Sequence, residues 1–170
     1  ELLRTHRLRL KKRLGQNYLV DPRITSRLVE SCHLTTSDVV IEIGAGLGAL
    51  TMLLADKVKR VVAIEIDRAV CEALKTRLSA VPNVEVLCQD ILAFEWSRVP
   101  GAKVVGAIPY QITAPILISL CERKTELARI WLSDQQEVAD RLTARPGTKA
   151  YGRLSLLIQY RYAISQRMRI

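Results

Sequence analysis

Five short runs of consecutive apolar residues, at 38–43, 60–65, 84–88, 103–107 and 128–132, alternate along the chain with helical patterns at 48–57, 68–79, 113–123 and 134–143. A strand that is apolar at nearly every position has both faces buried, and a helix between consecutive strands supplies the crossover that a parallel pair needs. The pattern predicts an α/β domain, a mostly parallel sheet with helices on both faces. At 170 residues, 49% of them apolar, the chain can build one core, and no repeat, flexible linker or low-complexity segment interrupts it. Asp21-Pro22 reads as a cap and first-turn proline opening a helix to about Cys32, with Ile24, Leu28 and Val29 on one face. After a polar loop, Ala144 to Lys149, an amphipathic stretch runs from Gly152 to about Tyr162, and Ala163 to Ile170 reads as one more strand.

In an open sheet of this kind, ligands bind beyond the carboxyl ends of the strands, where the strand order reverses. Glu42, Glu65, Asp90 and the segment Ala107 to Tyr110 all fall at such ends. The first strand runs into Gly44-Ala45-Gly46-Leu47-Gly48, where glycine lets a ligand approach bare backbone at a helix amino terminus and permits positive φ. This spacing fits a methyltransferase-type loop. It also nearly fits the dinucleotide fingerprint, with Ala49 in the last position and Glu65 about twenty residues on.

Either cofactor would have its ribose hydroxyls held by Glu65. Asp90 is placed to accept a hydrogen bond from an adenine amine, and Ala107-Ile108-Pro109-Tyr110 sets a fixed-φ proline and an aromatic beside the reactive end. Each residue has a plainer reading, as a surface Asp or an ordinary strand-to-turn proline. Their convergence on one crevice argues for an adenosine-bearing ligand. A nicotinamide-dependent dehydrogenase would account for the glycines and Glu65 but not for Asp90, the Ile-Pro-Tyr turn or the basic amino terminus.

The formal charge of +9 gathers in Arg4, Arg7, Arg9, Lys11, Lys12 and Arg13, and again in Arg141, Arg145, Lys149, Arg153, Arg161, Arg167 and Arg169. A polyanionic partner is expected, RNA or DNA ahead of a membrane surface, against the blander alternative of a solvated basic face. Cys32, Cys71, Cys88 and Cys121 show no Cys-x-x-Cys spacing, so they are expected to be reduced core residues of an intracellular, cytoplasmic protein. His6 and His33 read as surface residues, and no metal is expected. No apolar run approaches the length of a membrane span. The chain opens on Glu1 rather than Met, so it reads as part of a longer protein, and targeting is not judged from it.

Seven segments then follow one another in a telling order: Leu14 to Asp21, Glu42 to Thr51, Ala63 to Asp67, Gln89-Asp90, Ile108 to Ile112, Gln136 to Leu142 and Tyr151 to Ser155. From about Lys11 to Ser155 the chain resembles the ribosomal RNA adenine N6-dimethyltransferases, the small-subunit assembly enzymes and their erythromycin-resistance relatives. The resemblance implies a Rossmann-like class I methyltransferase domain over 21–170, preceded by a basic arm, 1–20, that closes over an S-adenosylmethionine site. It implies that Gln16, Asn17 and Leu19 line that site from the arm, that Gly44 and Gly46 contact the methionine part, Glu65 the ribose and Asp90 the adenine amine. It implies a flipped adenine of ribosomal RNA, methylated twice at N6 beside Ala107, Ile108, Pro109 and Tyr110, with the small ribosomal subunit as partner and a monomeric enzyme.

The chain departs from the family pattern twice. The family's asparagine, whose oxygen accepts from N6, is replaced by Ala107. The family's small C-terminal helical domain is expected to be absent from this chain. Impaired catalysis is therefore expected, and the alternative is a non-catalytic RNA-binding assembly factor that keeps the cofactor fold.

Overall fold

The computed structural model describes residues 21–108, 112–123 and 127–164. The order of elements is α1 (Pro22–Ser31), β1 (Val39–Ile43), α2 (Ala49–Ala55), β2 (Arg60–Glu65), α3 (Arg68–Arg77), β3 (Val84–Cys88), two 3-10 turns (Ile91–Ala93 and Trp96–Arg98), β4 (Ala102–Ala107), α4 (Thr113–Glu122), β5 (Leu127–Ser133), α5 (Gln136–Leu142) and α6 (Arg153–Arg161). The five strands form one sheet in the order β3-β2-β1-β4-β5, and every pairing is parallel. The order reverses between β1 and β4, so the carboxyl ends of these two strands frame the crevice.

Alternate residues of each strand serve opposite faces. Val40, Val61, Ala63 and Val105 pack with Leu28, Val29, Leu50, Leu54 and Leu74 from α1, α2 and α3. Ile41, Ile43, Val62, Ile64 and Val104 pack with Ile116 and Leu120 of α4 and with Ile91, Phe94 and Trp96 of the 3-10 turns. The sheet is thus covered on both faces, as continuously apolar strands require. A smaller cluster of Leu117, Cys121, Val138 and Ile158 joins α4, α5 and α6.

Local chemistry explains the boundaries. The Asp21 carboxylate accepts a 2.9 Å hydrogen bond from the Arg23 N–H and Pro22 opens α1, as expected. α2 is shorter than its apolar pattern because Gly48 caps it in the left-handed region and Asp56 ends it. α5 starts two residues later than expected because Gln135 is still extended, with φ −64° and ψ 148°. Of the last expected strand, Ala163 and Ile164 are irregular and the remainder lies outside the described residues, as does the arm. No helix among the described residues is long and apolar enough to cross a membrane.

The expectation for the cysteines needs correcting. Cys71 of α3 and Cys88, the last residue of β3, form a disulfide. A spacing rule misses such a pair because the helix-to-strand connection brings together residues 17 apart. Cys32 and Cys121 are free and buried, as expected. With one pair oxidised, cysteine usage no longer supports an intracellular assignment.

Candidate functional site

The site is built on the turn after β1. The Gly44 and Ala45 N–H groups both donate to the Ile64 carbonyl of β2, at 2.9 and 3.1 Å, which draws the turn across the neighbouring strand. Gly44, Gly46 and Gly48 have φ values of 74°, 56° and 82°, in the region that L side chains rarely adopt. A Cβ on Gly44 would stand 3.2 Å from the Ala107 carbonyl oxygen, so the turn and the tip of β4 approach backbone to backbone. At Gly48 a Cβ would fall 2.6 Å from Leu74 Cδ1, which is why α3 can press against the turn.

Glu65 ends β2 with 5% of its surface exposed. Its Oε2 accepts the Gly46 N–H at 2.9 Å and its Oε1 accepts the Asp67 N–H at 2.8 Å, so one carboxylate joins the glycine turn to the start of α3. Burial raises its pKa, with Asp67 adding to the rise while the backbone donors oppose it. Each oxygen keeps a second lone pair for a ligand hydroxyl. Asp67 is itself buried and caps α3 through the Ala69 N–H at 3.1 Å.

Asp90 lies two residues past Cys88, the partner of Glu65 in the β2–β3 ladder. It is exposed, and its Oδ1 accepts the Leu92 N–H at 2.9 Å. Ala107 ends β4 opposite Ser133, and the buried Ile108 donates its N–H to the Ser133 carbonyl at 3.3 Å. Gly44, Gly46, Glu65 and Ala107 are therefore brought together, with Asp90 at the adjoining tip and the buried Ile108 next to Ala107 in the chain. Gln16, Asn17, Leu19, Pro109 and Tyr110 lie outside the described residues.

Two neighbours of the turn carry no role in the sequence reading. Arg77 of α3 donates to the Leu47 carbonyl, a contact across 30 residues that no local pattern announces. Thr51 of α2, quoted only as the end of the glycine motif, is fully buried on the same sheet face as Glu42. Elsewhere, the loop carrying Arg145 and Lys149 is fastened at its base. Ser155 donates to the Arg141 carbonyl at 2.6 Å, and Gln159 donates to the Leu142 and Ala144 carbonyls, both at 2.8 Å. Arg141, Arg145, Lys149 and Arg153 are exposed.

A glycine turn, an acidic tip on β2 and an acidic tip on β3 describe many nucleoside-binding folds, and comparison with known proteins narrows them. Residues 7–168 match the family model described as ribosomal RNA adenine dimethylase. The chain belongs to that family. This membership sets aside the dehydrogenase that the glycine spacing left open. Among curated members, the ribosomal RNA small subunit methyltransferase A of Thermotoga maritima is 44% identical over 167 residues, covering 98% of this chain and 58% of the relative. The chain thus spans less than two thirds of that relative's length.

Solved structures agree in fold. The 23S rRNA methyltransferase ErmE superposes with a TM-score of 0.68 at 36% identity, over 77% of this chain and 53% of that one. A dimethyladenosine transferase from Plasmodium falciparum gives 0.73 at 28% identity, over 84% and 52%. The dimethylase-family domain is thus a Rossmann-like methyltransferase fold, and the crevice between β1 and β4 is its candidate site.

Proposed function

We propose that the crevice binds S-adenosylmethionine and that the domain methylates adenine N6 in small-subunit ribosomal RNA, twice at the same nitrogen. The observation that carries this reading is the Glu65 carboxylate bonded to the Gly46 N–H, which fixes an acceptor directly beside a turn whose three glycines all have positive φ. The residues present fit the cofactor: an open glycine turn for the methionine part, Glu65 lone pairs for two ribose hydroxyls, and the exposed Asp90 for the adenine amine. When bound, the cofactor supplies an electrophilic methyl group on a sulfonium.

The remaining work falls to the chain. An exocyclic amine is a poor nucleophile because its lone pair is delocalised into the purine, so the site must orient it and accept its hydrogen bonds. The Ala107 carbonyl faces the glycine turn, and the buried Ile108 holds the tip of β4 to β5. Pro109 and Tyr110 follow directly in sequence, and the family resemblance assigns the stacking of the flipped base to this aromatic. Arg145 and Lys149, on their fastened loop, are positioned to take phosphates of the RNA.

Ala107 offers no side-chain oxygen to N6. One missing acceptor costs about 1.5–3 kcal/mol at the transition state, roughly one to two decades in rate. The same residue favours a second reading, an assembly factor that binds cofactor and RNA without turnover. Labelled S-adenosylmethionine with undermodified small subunits separates the two. Dimethyladenosine formation, increased by Ala107→Asn, supports the enzyme; a chain that stays inert both as it stands and with asparagine restored supports the binder.

A further inference from the structure

Glu42 is the one acidic side chain inside β1, and its place in the sheet is unusual. It shares the face of Val40, which looks toward α1, α2 and α3, and it pairs across the sheet with Ala63 of β2 and Val105 of β4. It is 1% exposed, and its Oε2 has no hydrogen-bond partner. The Thr51 hydroxyl, on the adjoining α2, is buried and unpartnered as well. Two orphaned polar atoms therefore lie on the sheet face whose hydrophobic cluster includes Val40, Leu50, Leu54 and Val105, with Thr51 Oγ1 3.6 Å from where a Cβ on Gly48 would stand.

A buried carboxylate persists as an anion only when a cation or several donors compensate it. None does so here among the described residues. α2 contains no charged residue. Arg23, Arg27 and Glu30 of α1 are exposed, as are Arg68, Glu72, Lys75 and Arg77 of α3, and Arg77 donates to the Leu47 carbonyl. Arg60 and Lys103 sit at the opposite ends of β2 and β4, paired with Glu85 and Asp38. Among the described residues, the charged group that acts on Glu42 is Glu65, which has the same sign.

We propose that Glu42 is a proton-linked member of the cofactor site: its carboxyl is neutral in the empty protein and gives its proton to solvent when a cationic ligand docks on the glycine turn. The inference rests on the reading of the crevice as an S-adenosylmethionine site, whose ligand carries a sulfonium and an ammonium. The bound cation supplies a charge that the described residues do not, so the anion becomes tolerable in the complex. Burial raises the carboxyl to about 8 in the empty protein, with the nearby Thr51 hydroxyl opposing the rise and the Glu65 charge adding to it, which leaves it mostly protonated at pH 7. Binding of the cation then competes with a proton, and affinity rises with pH.

Titration calorimetry with S-adenosylmethionine in two buffers of different ionisation enthalpy tests this. At pH 7 the binding enthalpy should differ between the buffers by an amount corresponding to release of about one proton, and Kd should weaken about tenfold between pH 7 and pH 6. Glu42→Gln should bind with the same enthalpy in both buffers and lose the pH dependence. Should that variant not fold, infrared difference spectra of the unaltered protein replace it, with loss of a protonated-carboxyl band on binding as the expected result. Binding with equal enthalpies in both buffers, proton release that survives in Glu42→Gln, or an unchanged carboxyl band would overturn the proposal while leaving the cofactor site intact. Absence of any binding heat in either buffer would overturn the site reading and this inference together.

Discussion

The strand tips on the two sides of the crevice treat their acids differently. At β1 and β2 the carboxylates of Glu42 and Glu65 are nearly inaccessible, one left short of a partner and the other bonded to two backbone donors. At β3 the carboxylate of Asp90 is exposed and caps a single 3-10 turn. Glu65 fastens the glycine turn to the start of α3 and Glu42 lies buried on the same face of the sheet, whereas the Asp90 carboxylate is open to solvent. Substitution at Glu65 should therefore change the fold and binding together, and substitution at Asp90 should change mainly binding.

Glu65→Ala should have the largest effect. It leaves the Gly46 and Asp67 N–H groups without their acceptor, at about 1–3 kcal/mol each, so urea denaturation should show a loss of roughly 2–6 kcal/mol together with loss of cofactor binding. A variant as stable as the parent would erase the distinction between shaping acids and ligand-facing acids.

The disulfide tests the other side of the comparison, because Cys88 ties the tip of β3 to α3 just before Asp90. Closing a loop of this length constrains the unfolded chain by about 3 kcal/mol, so Cys88→Ser should lower stability by about that amount. Alkylation without reductant, read by mass spectrometry, should label Cys32 and Cys121 after unfolding and spare Cys71 and Cys88. Labelling of all four would remove the tether from the account.

Glu42 gives a smaller effect with a definite sign. Its carboxyl is raised from 4.5 to about 8 in the folded protein, so the native state holds a proton that the unfolded chain has lost across that window. Stability therefore falls as pH rises from about 4.5 to about 8, and Glu65, also raised, acts in the same direction. Between pH 6 and 7.5 the Glu42 part amounts to about 2 kcal/mol, and Glu42→Gln should remove it from the denaturation midpoints. An unchanged slope would mean that Glu42 is already ionised in the empty protein.

Much of this was legible in the sequence, for reasons that single residues make plain. Strands with both faces buried leave an unbroken apolar run, and the five runs fall within a residue of the observed β1 to β5. Asp21-Pro22 and the three glycines declare backbone conformations that few other residues take up, and the structure adopts them. The Glu65 hydrogen bonds were not legible, because a strand-end carboxylate reads the same whether it awaits a ribose or already holds backbone N–H groups. The Cys71–Cys88 bond and the Arg77–Leu47 contact were hidden because each depends on how α3 lies against its neighbours, which no local spacing encodes. The burial of Glu42 was hidden in plain view: an acid inside an apolar run can face inward only if it is neutral or compensated, and the sequence reading treated it as one strand-end acid among several.

The smallest expected change in stability belongs to Asp90→Ala, and it is the most discriminating. The loss of one exposed cap to Leu92 should cost about 1 kcal/mol or less. If Asp90 receives the adenine amine, cofactor affinity should fall by about tenfold or more, since a hydrogen bond to a charged acceptor contributes about 1.5–3 kcal/mol. Asp90→Asn separates the two roles: its side-chain oxygen can still cap Leu92, but it offers the amine a neutral acceptor, so stability should hold while affinity drops. If both variants bound S-adenosylmethionine as tightly as the parent, Asp90 would be a cap and nothing more, and the adenine would have to be recognised elsewhere along the crevice.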